Sequence, residues 1–144
     1  MTASDDLDRV IEQSHEALGE FVKGDPEPFK ALASHGEDVV WGNPFFSFTR
    51  GWAGASDAME RAALNFREGE ATGFELIARY EAPGLACIAE IERYTTKIGG
   101  REEPSPVALR VTSVLRIEDG AWKIVHRHAD PITTDQPAES ITRT

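Results

Sequence analysis

The stretch that decides the fold lies near the end of the chain, where residues 107–118 (VALRVTSVLRIE) and 121–131 (AWKIVHRHADP) flank Asp119-Gly120. Asp-Gly between two alternating segments is a strong hairpin signal, because both central residues of a type I′ turn need positive φ. A two-residue loop pairs Glu118 with Ala121, and alternate side chains along each strand then share one face. We therefore predict an antiparallel hairpin here.

The register of this hairpin assigns its two histidines to a face. Counting outward from the turn, the predicted pairs are Ile117–Trp122, Leu115–Ile124, Ser113–His126 and Val111–His128. This set is mostly apolar and should face the core. The intervening positions should lie on the opposite face: Arg110, Thr112, Arg116, Lys123 and Arg127. His126 and His128 are therefore predicted to point inward.

An inward imidazole beside a carboxylate is the arrangement that a general base needs, because the carboxylate holds one tautomer. Asp130 continues the histidine face, and Glu92, two positions from Glu90, is a second candidate partner. The candidate catalytic residues are therefore His126, Glu92 and Asp130. Two alternatives stay open: each histidine is a buried structural residue, or His126 and His128 bind a metal, for which no third ligand is evident.

The rest of the chain has helical periodicity first and strand-like alternation later. Apolar residues recur every three or four positions over 5–23 and from 52 to about 67, and Asp25-Pro26 precedes a short helix with Phe29 and Leu32. Between the last two helices we predict a strand at 38–43 and an aromatic loop at 45–51. Strands over 73–81, 85–97, 107–118 and 121–131 complete an α+β domain.

Length, charge and composition limit the classes of function. The chain has 144 residues, 40% of them hydrophobic, with a formal net charge of −10. This length suits one domain, assigned to residues 1–131, followed by a polar tail at 132–144 that we expect to be mobile. The charge repels phosphate backbones and anionic lipids, so neither nucleic acid nor a membrane is an expected partner.

Three further expectations come from single residue types. Asp5 and Asp6 stand where a secretory signal would carry basic residues, so a cytoplasmic location is expected. Cys87 lies in the apolar run 85–89 and is predicted to be a small core residue. His15 and His35 lie in polar settings and are expected at the surface.

Four segments together resemble one family: 36–44 (GEDVVWGNP), 50–52 (RGW), 109–114 (LRVTSV) and 120–128 (GAWKIVHRH). With the order of elements, they are similar to the nuclear transport factor 2-like superfamily, in its SnoaL-like or DUF4440-type (ketosteroid isomerase-like) branch. The resemblance implies a cystatin-like cone, in which three N-terminal helices pack on a curved, mostly antiparallel sheet and leave a pocket at the open end. It also implies homodimers through the outer sheet face.

The resemblance does not extend to the residues of steroid isomerisation. The isomerases' catalytic aspartate, just before a proline, falls on Asn43, and their oxyanion-hole residues fall near Ala17 and near Thr112 or Ser113. An amide cannot act as that base, so true steroid isomerisation is not expected. The kinase association domains are similar around 86–89 and in the last strand, but their buried pocket arginines match Glu92 and Ser113.

Two functions remain as hypotheses. The first is a pocket that binds a small apolar or carbonyl-containing molecule, either without reaction or with acid–base chemistry of isomerase, lyase or cyclase type, in which His126 or Glu92 moves a proton and Asn43 donates to a carbonyl. Its predicted lining is Trp41, Asn43, Phe45, Phe46, Trp52, Ser113, Trp122, His126 and His128. The second is a non-catalytic dimeric binding or association domain with structural histidines. Neither metal nor cofactor is expected.

Overall fold

A computed structural model describes residues 3–143, the side chains from residue 6 onward. Within these residues, three helices and six strands make up the domain, and a 3₁₀ turn, Ala138–Ile141, lies in the exposed tail. The elements are α1 (Ala3–Phe21), α2 (Glu27–Leu32), β1 (Val40–Asn43), β2 (Phe46–Arg50), α3 (Trp52–Ala63), β3 (Phe66–Ala82), β4 (Leu85–Ile98), β5 (Ser105–Glu118) and β6 (Ala121–Asp130).

The strands form one sheet in the order β2-β1-β6-β5-β4-β3. All neighbours are antiparallel except β1 and β6, which pair in parallel. The helices cover one face of this curved sheet, here called the inner face, and the opposite side is the outer face. The predicted α+β fold, with three helices on a mostly antiparallel curved sheet, is confirmed.

Helix α1 supplies the main apolar surface against the inner face. Its buried residues follow the helical spacing expected of an amphipathic helix: Leu7, Val10, Ala17 and Leu18. The chain leaves the helix through Gly24, whose φ of +103° suits glycine. Just before that turn, the carbonyl of Val22 accepts bonds from Gly69 N–H (3.0 Å) and Thr96 Oγ1 (3.0 Å). These bonds attach the end of α1 to β3 and β4.

Three predicted boundaries are wrong. Helix α3 ends at Ala63, and β3 begins at Phe66 instead of Gly73, because the strand runs past a bend at Glu68 (φ +53°) and Gly69 to reach Val22. The predicted aromatic loop contains strand β2, since residues after the Pro44 turn fold back and pair with β1. Sequence propensity does not show this partner strand.

The C-terminal hairpin follows the predicted register only from its turn to the pair Leu115–Ile124. Beyond that pair, Val125 is an extra residue in β6, and the next pairs are Val114–His126 and Thr112–His128. Such a β-bulge shifts alternation by one residue, so every later side chain changes face. The predicted inward orientation of His126 and His128 is therefore wrong.

Other features differ from expectation or add to it. Cys87 is half-buried and pairs with Tyr80 and Val114 in the sheet, so the prediction of a core cysteine is wrong. It lies on the outer face because Ala86 and Ile88 occupy the inward positions of β4. Among the described helices, none is long and apolar enough to span a membrane.

Candidate functional site

Because of the bulge at Val125, the side chains of β6 that were predicted to face inward face outward, and those predicted to face outward face inward. Arg127 and Ala129 lie on the inner face, in the interior between sheet and helices. His126, His128 and Asp130 lie on the outer face, opposite β5 residues that also point outward. The interior of the domain therefore contains a guanidinium where the sequence predicted imidazoles.

Arg127 forms a buried ion pair with Glu92 of β4. Its Nη1 donates to Oε2 at 2.9 Å and its Nη2 donates to Oε1 at 2.8 Å, an arrangement that joins both groups through two parallel hydrogen bonds. The guanidinium carbon lies 4.9 Å from the centre of the Phe29 ring, close enough for a cation–π contact. Burial acts to lower the pKa of Arg127, but Glu92 raises it overall, so the guanidinium is charged.

Glu90, two residues before Glu92 on β4, also points inward. His15 of α1 lies 2.9 Å from its Oε2 through Nε2, and the His15 ring stacks on Phe74 with 3.7 Å between centroids. Glutamates in the middle of a sheet usually face solvent, so two inward carboxylates with specific partners mark an unusually polar interior. The expectation that His15 is a surface residue holds only in part, since its side chain is 26% exposed while its ring packs between helix and sheet.

A cavity opens beside this ion pair. The enclosed space that the centre of a water molecule can occupy is about 30 Å³, which holds about two waters or one small functional group, and the cavity is partly open, so the rest of a ring-sized ligand would lie in its mouth. Its wall is mainly aromatic and apolar: Leu18, Phe21, Phe29, Trp41, Pro44, Phe45, Ala62, Phe66, Leu109 and Ala129. The polar lining comes from Asn43, Tyr94 and Arg127. An apolar wall with a few convergent polar groups is typical of small-molecule sites.

Tyr94 holds a hydroxyl at this cavity without using it in the protein. Its side chain is 3% exposed, and its ring meets Phe66 edge to face at 5.8 Å. Within residues 3–143 the hydroxyl forms no hydrogen bond. Every fully buried side-chain polar atom in that range has a hydrogen-bond partner, so the hydroxyl oxygen is not fully buried and keeps access to the cavity. Burial, with Glu92 nearby, raises the pKa of Tyr94, so the phenol stays protonated.

Asn43 is held by the turn between β1 and β2. Its Oδ1 accepts bonds from the backbone N–H groups of Phe45 (2.9 Å) and Phe46 (3.0 Å), an Asx-type turn. Its amide nitrogen is the part of the side chain left for a ligand. Because Phe45 lines the cavity and is 42% exposed, it lies at the cavity mouth.

The structure brings together only some of the predicted pocket residues. Trp41, Asn43 and Phe45 line the cavity. Phe46 lies instead under the Arg61 guanidinium at 4.2 Å, and Trp52 stacks on His35 at 3.7 Å. Four others lie outside the cavity lining: Ser113, which pairs with Arg127, buried Trp122 near the hairpin turn, and His126 and His128 on the outer face.

The histidines form a separate cluster on the outer face. The Phe48 ring lies 5.9 Å from His126 and 5.5 Å from His128, between centroids. His128 Nε2 lies 3.4 Å from Asp130 Oδ2, and Asp130 also accepts a 2.8 Å bond from Arg110 Nε. Burial, and to a lesser extent His128, lowers the pKa of His126. In the described part of the chain, no three His, Cys, Asp or Glu side chains form a metal-binding group.

The residues that sequence reasoning missed are Arg127, which it placed outside, and Tyr94, which it did not single out. One signal could have placed Arg127. The apolar residues of β6 lie first at even positions, Trp122 and Ile124, and then at odd positions, Val125 and Ala129. The change occurs at two adjacent apolar residues, which indicates a bulge. For Tyr94, the alternation of β4 puts it on the same face as Ile88 and Glu92.

Solved structures with the same fold are numerous. A nuclear transport factor 2-like superfamily protein from Salmonella enterica serovar Typhimurium has a TM-score of 0.77 at 19% identity, covering 96% of this chain and 99% of that one. An uncharacterised protein with a cystatin-like fold from Caulobacter vibrioides has 0.66 at 18%, covering 95% and 92%. A provisionally assigned calcium/calmodulin-dependent protein kinase II association domain from Xanthomonas campestris has 0.69 at 16%, covering 94% and 91%.

At such identities these likenesses establish the fold alone, which they confirm as cystatin-like and nuclear transport factor 2-like. Among curated proteins, no sequence matches significantly. The sequence model of the SnoaL-like domain matches residues 10–133, from the first turns of α1 to just past β6. The chain therefore belongs to the SnoaL-like domain family.

Proposed function

We propose that the inner cavity binds a small apolar or carbonyl-containing molecule. The observation that carries this proposal is a partly open cavity with an aromatic wall and an unpaired tyrosine hydroxyl at its surface. Buried polar groups are normally hydrogen-bonded within the protein, so a hydroxyl left available in such a place suits a ligand.

The geometry favours binding over acid–base catalysis by the predicted residues. His126 and Asp130 lie on the outer face, whereas Glu92 lies on the inner face, so one ligand cannot contact all three. Both oxygens of Glu92 are already bonded to Arg127. A general base must reach the proton that it removes, and neither the outer imidazole nor the paired carboxylate reaches one in the cavity.

Filling the cavity tests this proposal. Ala129 lines the cavity, and Ala129→Leu places three extra carbons there; Ala89→Leu, on the outer face of β4, is the matched control. We expect ethylbenzene to shift ¹⁵N–¹H signals of cavity residues in the wild type and the control. The Ala129→Leu protein should lose at least tenfold in affinity. Equal binding to both variants would contradict the proposal.

A second candidate function, association as a homodimer, is favoured by the outer face. An apolar patch of β3, β4 and β5 is at least partly exposed there, with Tyr80 66% and Leu85 47% exposed beside half-buried Cys87 and Val114. Exposed apolar patches of this kind often mark protein contacts. The expectations of no nucleic acid or membrane partner and of a cytoplasmic location stay predictions.

Sedimentation velocity tests this association. Val114→Lys places a charge in the centre of the apolar patch, and Leu64→Lys changes an 82% exposed leucine after α3 as the control. We expect the wild type and Leu64→Lys to sediment as dimers and Val114→Lys as a monomer. A monomeric wild type, or dimers in all three proteins, would contradict association through this face.

A further inference from the structure

We propose that the cavity selects neutral molecules with a hydrogen-bond acceptor oxygen, such as ketones, aldehydes and esters, through the Tyr94 hydroxyl and the Arg127 guanidinium, and rejects carboxylates. This inference rests on the proposed binding function and specifies its ligand class. It follows from three features of the interior: the donors that are left free, the acceptors that are already used, and the balance of buried charge.

The free polar groups around the cavity are donors. An arginine has five N–H groups, and Glu92 accepts from two of those of Arg127. The other three have no partner within residues 3–143. Tyr94 adds an O–H, and its raised pKa keeps that proton in place at physiological pH. A ligand that supplies an acceptor oxygen would therefore satisfy groups that the protein leaves unpaired.

The acceptors near the cavity are occupied by protein groups. Glu92 accepts from Arg127 through both oxygens, and Asn43 Oδ1 accepts two backbone N–H groups in its turn. Glu92 does not itself line the cavity, so among the side chains of the lining an alcohol or amine that must donate a hydrogen bond finds only the Tyr94 oxygen. A carbonyl needs no acceptor, so it matches the cavity better than a donor ligand of the same shape.

Buried charge acts against anions. Arg127 is the one guanidinium at the cavity in the described chain, and Glu92 neutralises it through two hydrogen bonds. Glu90 adds a second carboxylate close enough to act on Arg127 electrostatically, and its partner His15 offsets it only when protonated. A ligand carboxylate would lose its hydration next to two fixed negative charges and one positive charge, which is unfavourable.

Three single-ring probes of similar size distinguish the proposed selectivity from the proposed binding function: acetophenone, ethylbenzene and benzoate. Their affinities are measured by ¹⁵N–¹H titration with the wild type, Tyr94→Phe and Tyr80→Phe. Tyr80 is the other tyrosine of the chain and lies on the outer face, so its variant controls for loss of a phenol hydroxyl elsewhere. The infrared carbonyl stretch of bound acetophenone reports directly on a hydrogen bond to its oxygen.

We expect the wild type and Tyr80→Phe to bind acetophenone about fivefold more tightly than ethylbenzene, the effect of one hydrogen bond, and more than tenfold more tightly than benzoate. In Tyr94→Phe that preference over ethylbenzene should fall because only the Arg127 N–H donors remain, ethylbenzene affinity should be unchanged, and the carbonyl stretch should rise. Three results would overturn the selectivity inference but not the proposed binding function. They are equal binding of acetophenone and ethylbenzene, an unchanged preference in Tyr94→Phe, and tight binding of benzoate. Failure of all three probes to bind would overturn both.

Discussion

Arg127 of β6 and Glu92 of β4 face each other across β5 in a closed pair of hydrogen bonds of 2.9 and 2.8 Å. The two residues are only 8% and 2% exposed. Removing two charges from water is unfavourable unless each is fully paired, so either partner alone would be a buried, uncompensated charge. The pair thus links stability to the polar surface of the cavity.

Removing one partner of this ion pair should destabilise the protein much more than replacing both partners. We expect Glu92→Ala to lower the free energy of unfolding by about 3–5 kcal/mol, because it leaves the Arg127 charge buried alone. The double variant Glu92→Leu with Arg127→Met should stay within about 1 kcal/mol of the wild type, since it removes both charges and keeps volume. Urea unfolding at pH 7 measures both, and comparable losses in the two proteins would contradict this account.

Tyr94 should make stability fall at high pH. Its pKa is raised in the folded protein above the value near 10 of an unfolded tyrosine, so the folded state holds its proton more tightly. That contribution is complete below about pH 10 and is lost as pH rises through the raised value. Between pH 9 and 11 the melting temperature of the wild type should therefore fall more than that of Tyr94→Phe. Equal decreases in the melting temperatures of the two proteins would show that another group is responsible.

His126 should titrate below the ordinary histidine range. Burial is the larger cause and His128 the smaller one, so His128→Gln should raise the pKa of His126 only part of the way. A lowered pKa means that the unfolded chain binds the proton more readily, so this contribution is present above about pH 6.5 and falls as pH decreases. Imidazole C–H shifts followed by NMR from pH 4 to 8 measure the value. Complete restoration in His128→Gln would exclude burial as the main cause.

Gly69 should not tolerate a side chain. A methyl group there would lie 2.4 Å from the Val22 carbonyl oxygen and 2.8 Å from Thr96, at the point where α1 is attached to the sheet. We expect Gly69→Ala to lower the free energy of unfolding by about 3 kcal/mol, since backbone must move. Gly73→Ala, with nothing within 4 Å of its added methyl, should change it by less than about 0.5 kcal/mol. Chemical denaturation compares the two.

Deleting Val125 should be far more harmful than shortening it. The deletion removes the bulge and turns Arg127 to the outer face, away from Glu92, so we expect a loss of at least about 3–5 kcal/mol and dispersed NMR signals to collapse. Val125→Ala keeps the residue count and removes two buried carbons, which should lower stability by about 1.5 kcal/mol. Similar spectra for both proteins would show that the bulge is dispensable.

Local sequence signals predicted much of the fold. Asp119-Gly120 placed the hairpin turn, and the register next to it is confirmed as far as Leu115–Ile124. Apolar periodicity likewise predicted α1 and α3 to within a few residues. These signals depend on residues close together in the chain, so they can be read without knowing the tertiary structure.

The interior chemistry depends on distant partners and could not be predicted in the same way. The β6 bulge lies between two contacts on the other edge of that strand, Ala33 beside Ile124 and Val40 beside His126. Glu90 points inward beside His15, which is 75 residues earlier in the chain. Alternation in β4 allowed either face to be buried, and only these partners decide which.

The parallel pairing of β1 with β6 also has a consequence for biosynthesis. Val40 and His126 are neighbours in the sheet but about 86 residues apart in the chain, so β1 leaves the ribosome long before its partner exists. Contacts between such distant segments form late and slow folding, because a large loop must first close. Trp41 on β1 and Arg127 on β6 both line the cavity. The nascent chain therefore cannot close this cavity until β6 has been translated.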